Sequence, residues 1–329
     1  FNIESINALY ITFALLTVFM VAGTIIFSNS TRVIASLLYI LATVTMGALL
    51  YMLLSVLLVD LFHFVVKLQP KIYGIMVLAI SILISVYGVW NATGLKTSEI
   101  EVPIKGLSKE VRAMHLTDIH LGHFRGRSFL QKIAEITNRQ VVDVVFITGD
   151  LFDGKIQLAA RNLEPLGQLS VPVYFVEGNH DKYTGVKLIK QMLRETGIRV
   201  LENELIDWGE LQIIGLNHMH AGEQGATIKA ALQSIDTEKD KPTILLHHSP
   251  DGIRYANEKG VDLYLAGHTH AGQLFPVNFI AKLLFTYNNG LYDYNGTRIY
   301  VSSGAGTFGP PMRVGTKSEI TVVKLIPWE

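Results

Sequence analysis

The first quarter of this chain is nearly free of charge, and that restricts what it can fold into more than any other feature. Residues 6–27, 33–59 and 72–90 contain no Asp, Glu, Lys or Arg. Each run approaches or exceeds the roughly 20 residues that a helix needs to cross about 30 Å of hydrocarbon. The breaks are polar: Ser28-Asn29-Ser30-Thr31-Arg32, then Lys67-Leu68-Gln69-Pro70-Lys71. Proline suits a connection because it cannot continue helical hydrogen bonding. Buried helices of a water-soluble bundle carry a polar face, and these runs carry none. A signal peptide would account for one of them but not for three. The pattern predicts a transmembrane helical region over residues 1–91.

This is the layout of an integral membrane protein, expected in a bacterial inner membrane. Lys67 and Lys71 lie on one side, with Arg32 and the soluble part from near Lys96 on the other. That near balance of basic residues leaves the orientation open. Asp60 and His63, at the end of the second run, read as interfacial residues. The first residue is Phe1, not Met, so the natural start is expected upstream, with room for a further span. Hydrophobic residues make up 49% of the 329, most of the excess falling before residue 90. The formal net charge is zero, so the basic footprint of a nucleic-acid binder is missing and no nucleic acid is expected as a partner. With no cysteine, disulfides and zinc–thiolate sites are excluded.

Beyond residue 91 the pattern changes. Residues 92–110 read as a linker leading into a first strand, punctuated by Thr93-Gly94 and Pro103. Residues 111–116, 141–148, 171–176, 211–216, 243–246, 261–266 and 298–301 are short, apolar and strand-like. Leu130, Ile133, Ala134 and Ile136 have helical spacing. Strands alternating with helices predict a layered α/β domain over residues 111–329.

Five of these strand ends deliver Asp, Asn or His: Asp118 and His120; Asp150; Asn179, His180 and Asp181; His248; His268 and His270. In open α/β sheets the carboxyl ends of strands form the ligand crevice. A mixed set of imidazole, amide and carboxylate points to a catalytic transition-metal centre and away from a calcium loop. One Asp can bridge two such ions, and ion pairs of this kind clamp the attacking and leaving oxygens of phosphoryl transfer. His115, His123, His218, His220 and His247 read instead as packed or loop residues.

Asp118-Ile119-His120, Gly149-Asp150, Gly178-Asn179-His180-Asp181, His248-Ser249-Pro250 and Gly267-His268-Thr269-His270 resemble, in order, the five motifs of the calcineurin-like metallophosphoesterases. The resemblance runs from about residue 111 to the C-terminus. Gly272-Gln273, Tyr300-Val301-Ser302-Ser303-Gly304-Ala305-Gly306, Arg313 and Glu319-Ile320 are similar to its membrane-anchored branch. That branch includes transmembrane proteins with a metallophosphoesterase domain and some UDP-diacylglucosamine pyrophosphatases. The resemblance implies a layered β-sandwich flanked by helices and a metal-dependent phosphodiesterase or pyrophosphatase. It implies two divalent ions, Mn, Fe or Zn. Asp118, His120, Asp150 and His270 would hold one ion; Asp150, Asn179, His248 and His268 would hold the other. His180, oriented by Asp181, would contact the phosphoryl group or protonate the leaving group, with no covalent enzyme intermediate.

Ser303, Ser318 and Asn217 depart from the branch pattern, where an arginine, a proline and an acidic residue are expected. None is a ligand position, so the departures bear on substrate recognition. Arg313 is a candidate bidentate phosphate contact. Residues 275–287, with Phe275 and Phe279, form an unusually apolar stretch beside the last metal motif. It reads as a lip for acyl chains, which Phe124 and Phe308 would join. The expected substrate is therefore a phosphorylated lipid or lipid-linked nucleotide such as a UDP-diacylglucosamine-like molecule, taken from membrane lipids. The competing reading makes the fold a regulatory or scaffold module of a membrane sensor or transporter.

Overall fold

The computed structural model describes residues 3–219 and 224–328; His220 lies outside them. The chain forms two compact units. The helical unit runs to Gly94 and takes in Phe308–Val314, while the sheet unit comprises Leu95–Thr307 and the chain from Gly315 onward.

The helical unit contains α1 (Ile3–Phe27), α2 (Val33–Val65) and α3 (Pro70–Thr93). All three are long and apolar enough to cross a membrane. Helix α2 extends six residues past the expected run and includes Asp60, whose Oδ1 accepts from Tyr73 Oη at 2.7 Å. Lipid gives no reward for hiding apolar groups, so small residues that allow close approach line helix contacts in membranes. Ala42, Gly47, Ser55, Ser81 and Gly88 are accordingly buried, while Leu41, Leu57, Leu83 and Trp90 are exposed. A Cβ at Gly47 or Gly88 would press on the Met312 side chain. The backbone beside Met312 is tied to α3: Arg313 N donates to Gly88 O at 2.9 Å, and Asn91 Nδ2 donates to Arg313 O at 2.9 Å.

The sheet unit holds two six-stranded sheets. The first comprises β1 (Lys96–Ile104), β2 (Val111–Leu116), β3 (Val144–Thr148), β4 (Val173–Val176), β5 (Arg199–Val200) and β12 (Glu319–Pro327), in the order β1-β12-β2-β3-β4-β5. The second comprises β6 (Glu204–Trp208), β7 (Leu211–Gly215), β8 (Thr243–Leu246), β9 (Leu263–Ala266), β10 (Gly290–Tyr294) and β11 (Thr297–Val301), in the order β10-β11-β9-β8-β7-β6. Helices α4 (Arg127–Arg139), α5 (Glu164–Gly167), α6 (Asn179–Thr184), α7 (Val186–Glu195), α8 (Gln224–Gln233), α9 (Ile253–Lys259) and α10 (Val277–Leu284) connect them.

Successive side chains of a strand point to opposite faces, and that alternation builds three cores. Val144 and Phe146 pack with Ile213, Leu246 and Leu265 between the sheets. Val145 and Ile147 face the other way, against Leu130 and Ile133 of α4 and Ile189 of α7. Leu245 and Ile299 meet Ile228 and Leu232 of α8 and Ala256 of α9. Sheets covered on both faces read as continuous apolar runs, which is why all seven expected strands are present. The expectation of a layered sandwich flanked by helices holds. Strand β12 was not anticipated as such. It pairs parallel with β1 and antiparallel with β2, joining the C-terminus to the sheet.

Candidate metal centre

The parallel strands β2, β3, β4, β8 and β9 end at the loops that carry Asp118 and His120, Asp150, Asn179, His248, and His268 and His270. The backbone there is unusual. Asp118 (φ 51°), His120 (φ 50°), Asp150 (φ 53°), His268 (φ 72°) and His270 (φ 49°) are all left-handed without being glycine. Such conformations cost of order 1–3 kcal/mol each and persist where the surroundings over-determine them, typically at functional sites. The motif glycines have a matching steric reason. A Cβ on Gly178 would collide with the Asp150 carboxylate, and one on Gly267 with the Asp118 carboxylate.

These loops gather all seven expected ligands into one connected set. Around Asp118, its Oδ1 lies 3.3 Å from His270 Nε2, and His270 Nε2 lies 3.1 Å from His120 Nε2. On the other side, Asn179 Oδ1 is 3.1 Å from His248 Nε2 and 3.0 Å from His268 Nδ1. Asp150 Oδ2 stands between the groups, 3.7 Å from His120 Nε2 and 3.2 Å from His248 Nε2. The second oxygens are occupied elsewhere. Asp118 Oδ2 accepts from Thr117 Oγ1 at 2.8 Å and His268 N at 3.0 Å, and Asp150 Oδ1 accepts from His180 N at 2.8 Å. His248 Nδ1 donates to Thr148 O at 2.8 Å, which leaves Nε2 as the ring atom with a lone pair for the centre.

Two observations test whether cations fit here. Asp118 Oδ1 is buried and accepts no hydrogen bond among the described residues. Burial would raise the carboxyls of Asp118 and Asp150, yet the surrounding imidazoles together hold each well below the usual range, His270, His120 and His248 for Asp118 and His248, His120 and His180 for Asp150. The reciprocal effect is on His248. Burial opposes its charged form, but Asp150 and Asp118 push its pKa up to about 10. Two buried carboxylates kept ionised side by side form a concentration of negative charge that a cation would offset. The donor atoms of Asp118, His120 and His270, and those of Asp118, Asp150 and His248, lie within 4.8 Å of one another. The fit is good.

His180 forms a third close group with His120 and Asp150, so proximity alone does not separate a ligand from an acid. His180 Nδ1 meets Asp153 Oδ1 at 3.0 Å; burial opposes the ring's charged form, but this hydrogen bond and the charges of Asp150 and Asp153 together raise the histidine's pKa. The orienting carboxylate is therefore Asp153 and not the expected Asp181. Asp181 is fully buried and accepts from the backbone amides of Asp150, Leu151, Phe152 and Gly178 at 2.8–3.2 Å. It shapes the Asp150 loop. The spacing of Asp150 and Asp153, three residues apart, was the available signal for this partner.

The remaining expected residues sit as follows. Arg313 belongs to the helical unit with a fully buried side chain. Phe275 and Phe279 are exposed and meet edge to face at 5.7 Å between ring centroids. Burial lowers His115 and His247 to about 3, as befits packed neutral rings.

Comparison with known proteins agrees with this geometry. A family model described as calcineurin-like phosphoesterase matches residues 111–272. An uncharacterized metallophosphoesterase of Helicobacter pylori is 39% identical over 239 residues, covering 70% of this chain and 64% of its own length. One from Campylobacter jejuni is 34% identical over 262 residues, covering 77% of this chain and 70% of its own length. A transmembrane protein with metallophosphoesterase domain from Danio rerio is 36% identical over 275 residues, covering 76% of this chain and 62% of its own length. This chain thus spans less than two thirds of the Helicobacter and Danio relatives. It belongs to the calcineurin-like metallophosphoesterases, a family dependent on two metal ions, and it is a membrane protein.

Proposed function

We propose that this chain is a membrane-anchored hydrolase that cleaves a phosphodiester or pyrophosphate bond in a lipid or lipid precursor. The observation that carries the reaction type is Asp150 Oδ2, a single carboxylate oxygen facing His120 on one side and His248 on the other. Asp118, His120, Asp150 and His270 would hold one divalent ion, and Asp150, Asn179, His248 and His268 the second. Bound there, the ions supply an activated water and offset charge on the phosphoryl oxygens. Thr117 and the His268 amide hold Asp118 in one rotamer, and the His180 amide does the same for Asp150. His180 keeps Nδ1 on Asp153 and uses Nε2 to pass a proton to the departing oxygen. General acid help of this kind contributes about 10²- to 10⁴-fold.

The lipid character of the substrate rests on the anchor. Tethering a site to a membrane raises its effective concentration toward lipids, and exposed Phe275 and Phe279 follow the last metal motif. The test is incubation of the reconstituted chain and manganese with extracted membrane lipids, followed by mass spectrometry. A phosphorylated lipid should disappear and its cleaved product appear, with neither change in an Asp150→Ala control. Equal rates on acylated and deacylated forms of one substrate would remove the lipid reading.

A further inference from the structure

Helix α10 presents to its surroundings the face that a water-soluble protein would hide. It follows the His270 loop and is seated by its small side: Ala281 is buried, and Gly272 comes so close to Asn278 that a Cβ would collide there. The large side chains point away. Phe279 is 54% exposed, Ile280 52%, Leu283 87% and Leu284 74%. Positions 280, 283 and 284 are spaced i, i+3, i+4 and share one face of the helix. Lys282 sets its ammonium 5.8 Å from the centroid of the Phe279 ring. An apolar edge flanked by a basic side chain is the signature of a helix lying in a membrane interface.

The chain's connections say what covers this edge. Helix α3 ends at Thr93 and β1 begins at Lys96, so only Gly94 and Leu95 lie between this apolar helix and the first strand of the sheet unit. That link spans at most about 10 Å. The short link tethers the sheet unit within reach of the bilayer, and any soluble partner would compete with a lipid phase present at very high effective concentration. We propose that α10 inserts the Ile280–Leu283–Leu284 edge into the lipid monolayer on the side where α3 ends. The inserted edge continues toward the metal loops. Leu284, Phe285 and Tyr287 line a cavity of about 220 Å³ with Pro250 and Ile253, and the Phe285 ring meets that of His268 at 5.9 Å. Docking of α10 does not require the substrate to be a lipid. It would hold the site at the hydrocarbon boundary either way.

The absence of cysteine makes a depth measurement clean. The full chain, carrying Leu283→Cys with a nitroxide label, is reconstituted into phosphatidylethanolamine–phosphatidylglycerol vesicles. Its collision rates with oxygen and with a water-soluble nickel chelate are compared. The reference is Val141→Cys, an exposed position three residues before β3, at the end of that strand opposite the metal loops. The oxygen-to-nickel ratio should be several-fold higher at position 283 than at 141. Equal ratios overturn the proposal. So does spin–spin broadening at 283 that vanishes on dilution with unlabelled chain, which would put a second copy on this face. Ile280→Cys repeats the reading should the first variant fold poorly. Depth at 283 without any lipid product in the extract assay would leave docking standing and remove the lipid substrate; lipid product without depth would do the reverse.

Discussion

The helical unit and the sheet unit bury opposite kinds of residue. In the first, Leu41 and Leu57 face outward while Ala42, Gly47 and Ser55 lie inside. In the second, Phe146, Leu246 and Leu265 are wholly buried. The contrast is what two different surroundings, hydrocarbon for one unit and water for the other, would produce. Water drives apolar area inward; hydrocarbon leaves van der Waals fit as the main criterion. It also separates the places where polar chemistry can be built. Carboxylates and imidazoles sit together in the sheet unit because strand ends, a helix N-terminus and backbone amides satisfy them there. Helix α10 belongs to the sheet unit but shows the outward face of the helical one.

The largest expected effect tests whether chemistry is confined to one unit. Asp150→Ala should reduce manganese-dependent hydrolysis of bis(p-nitrophenyl) phosphate to the uncatalysed background. Insertion into vesicles should be unchanged, and an insertion defect would break the separation.

Next is the acid. His180→Ala should lower kcat by about 10²- to 10⁴-fold, and Asp153→Asn by about 10- to 100-fold, the usual cost of losing an outer-shell partner. A larger kcat loss for Asp181→Asn than for Asp153→Asn, at equal thermal stability, would return the orienting role to Asp181.

Packing gives a smaller contrast. Leu265→Ala, in the core between the sheets, should cost about 2–5 kcal/mol in denaturant unfolding. Leu41→Ala, on the lipid side of α2, should cost less than about 0.5 kcal/mol, in the range of surface substitutions. Similar costs would mean that the two interiors follow one rule after all.

The smallest effect is a pH slope. His115 is buried, and its pKa falls from 6.5 to about 3. Below pH 6.5 the unfolded chain takes up a proton that the folded one refuses, so stability is full above 6.5 and declines toward pH 3. Between pH 6.5 and 5 this amounts to about 2 kcal/mol. Thermal unfolding followed at both pH values should show the decline, and His115→Gln should make it shallower by this share, leaving the equal share of His247 in place.

How much was readable in advance depended on distance along the chain. The three long apolar helices were legible because the absence of charge is a local property. The strands were legible because sheets covered on both faces demand apolar runs. The seven candidate ligand residues stood out by type and by position after strands, together with the resemblance of their motifs to a known family. Strand β12 was not recognised, since its neighbours β1 and β2 lie some two hundred residues earlier. Asp153 was passed over for Asp181, because both carboxylates lie within a few residues of a motif and only the loop's path decides which one meets His180. The segment at Met312 was read as part of the soluble domain's ending, whereas the fold places Phe308–Val314 with the helices.

Residue order and type thus determined the long apolar helices, the strands and the identity of the candidate donors, all of which follow from local hydrophobicity and from the chemistry of single side chains. Tertiary structure alone decided which oxygen of Asp150 faces two histidines, which carboxylate holds His180, and which face of α10 remains outside. Those outcomes depend on left-handed backbone at five loop positions and on contacts between residues up to 150 apart. Chain closure over such distances leaves no mark in the local pattern.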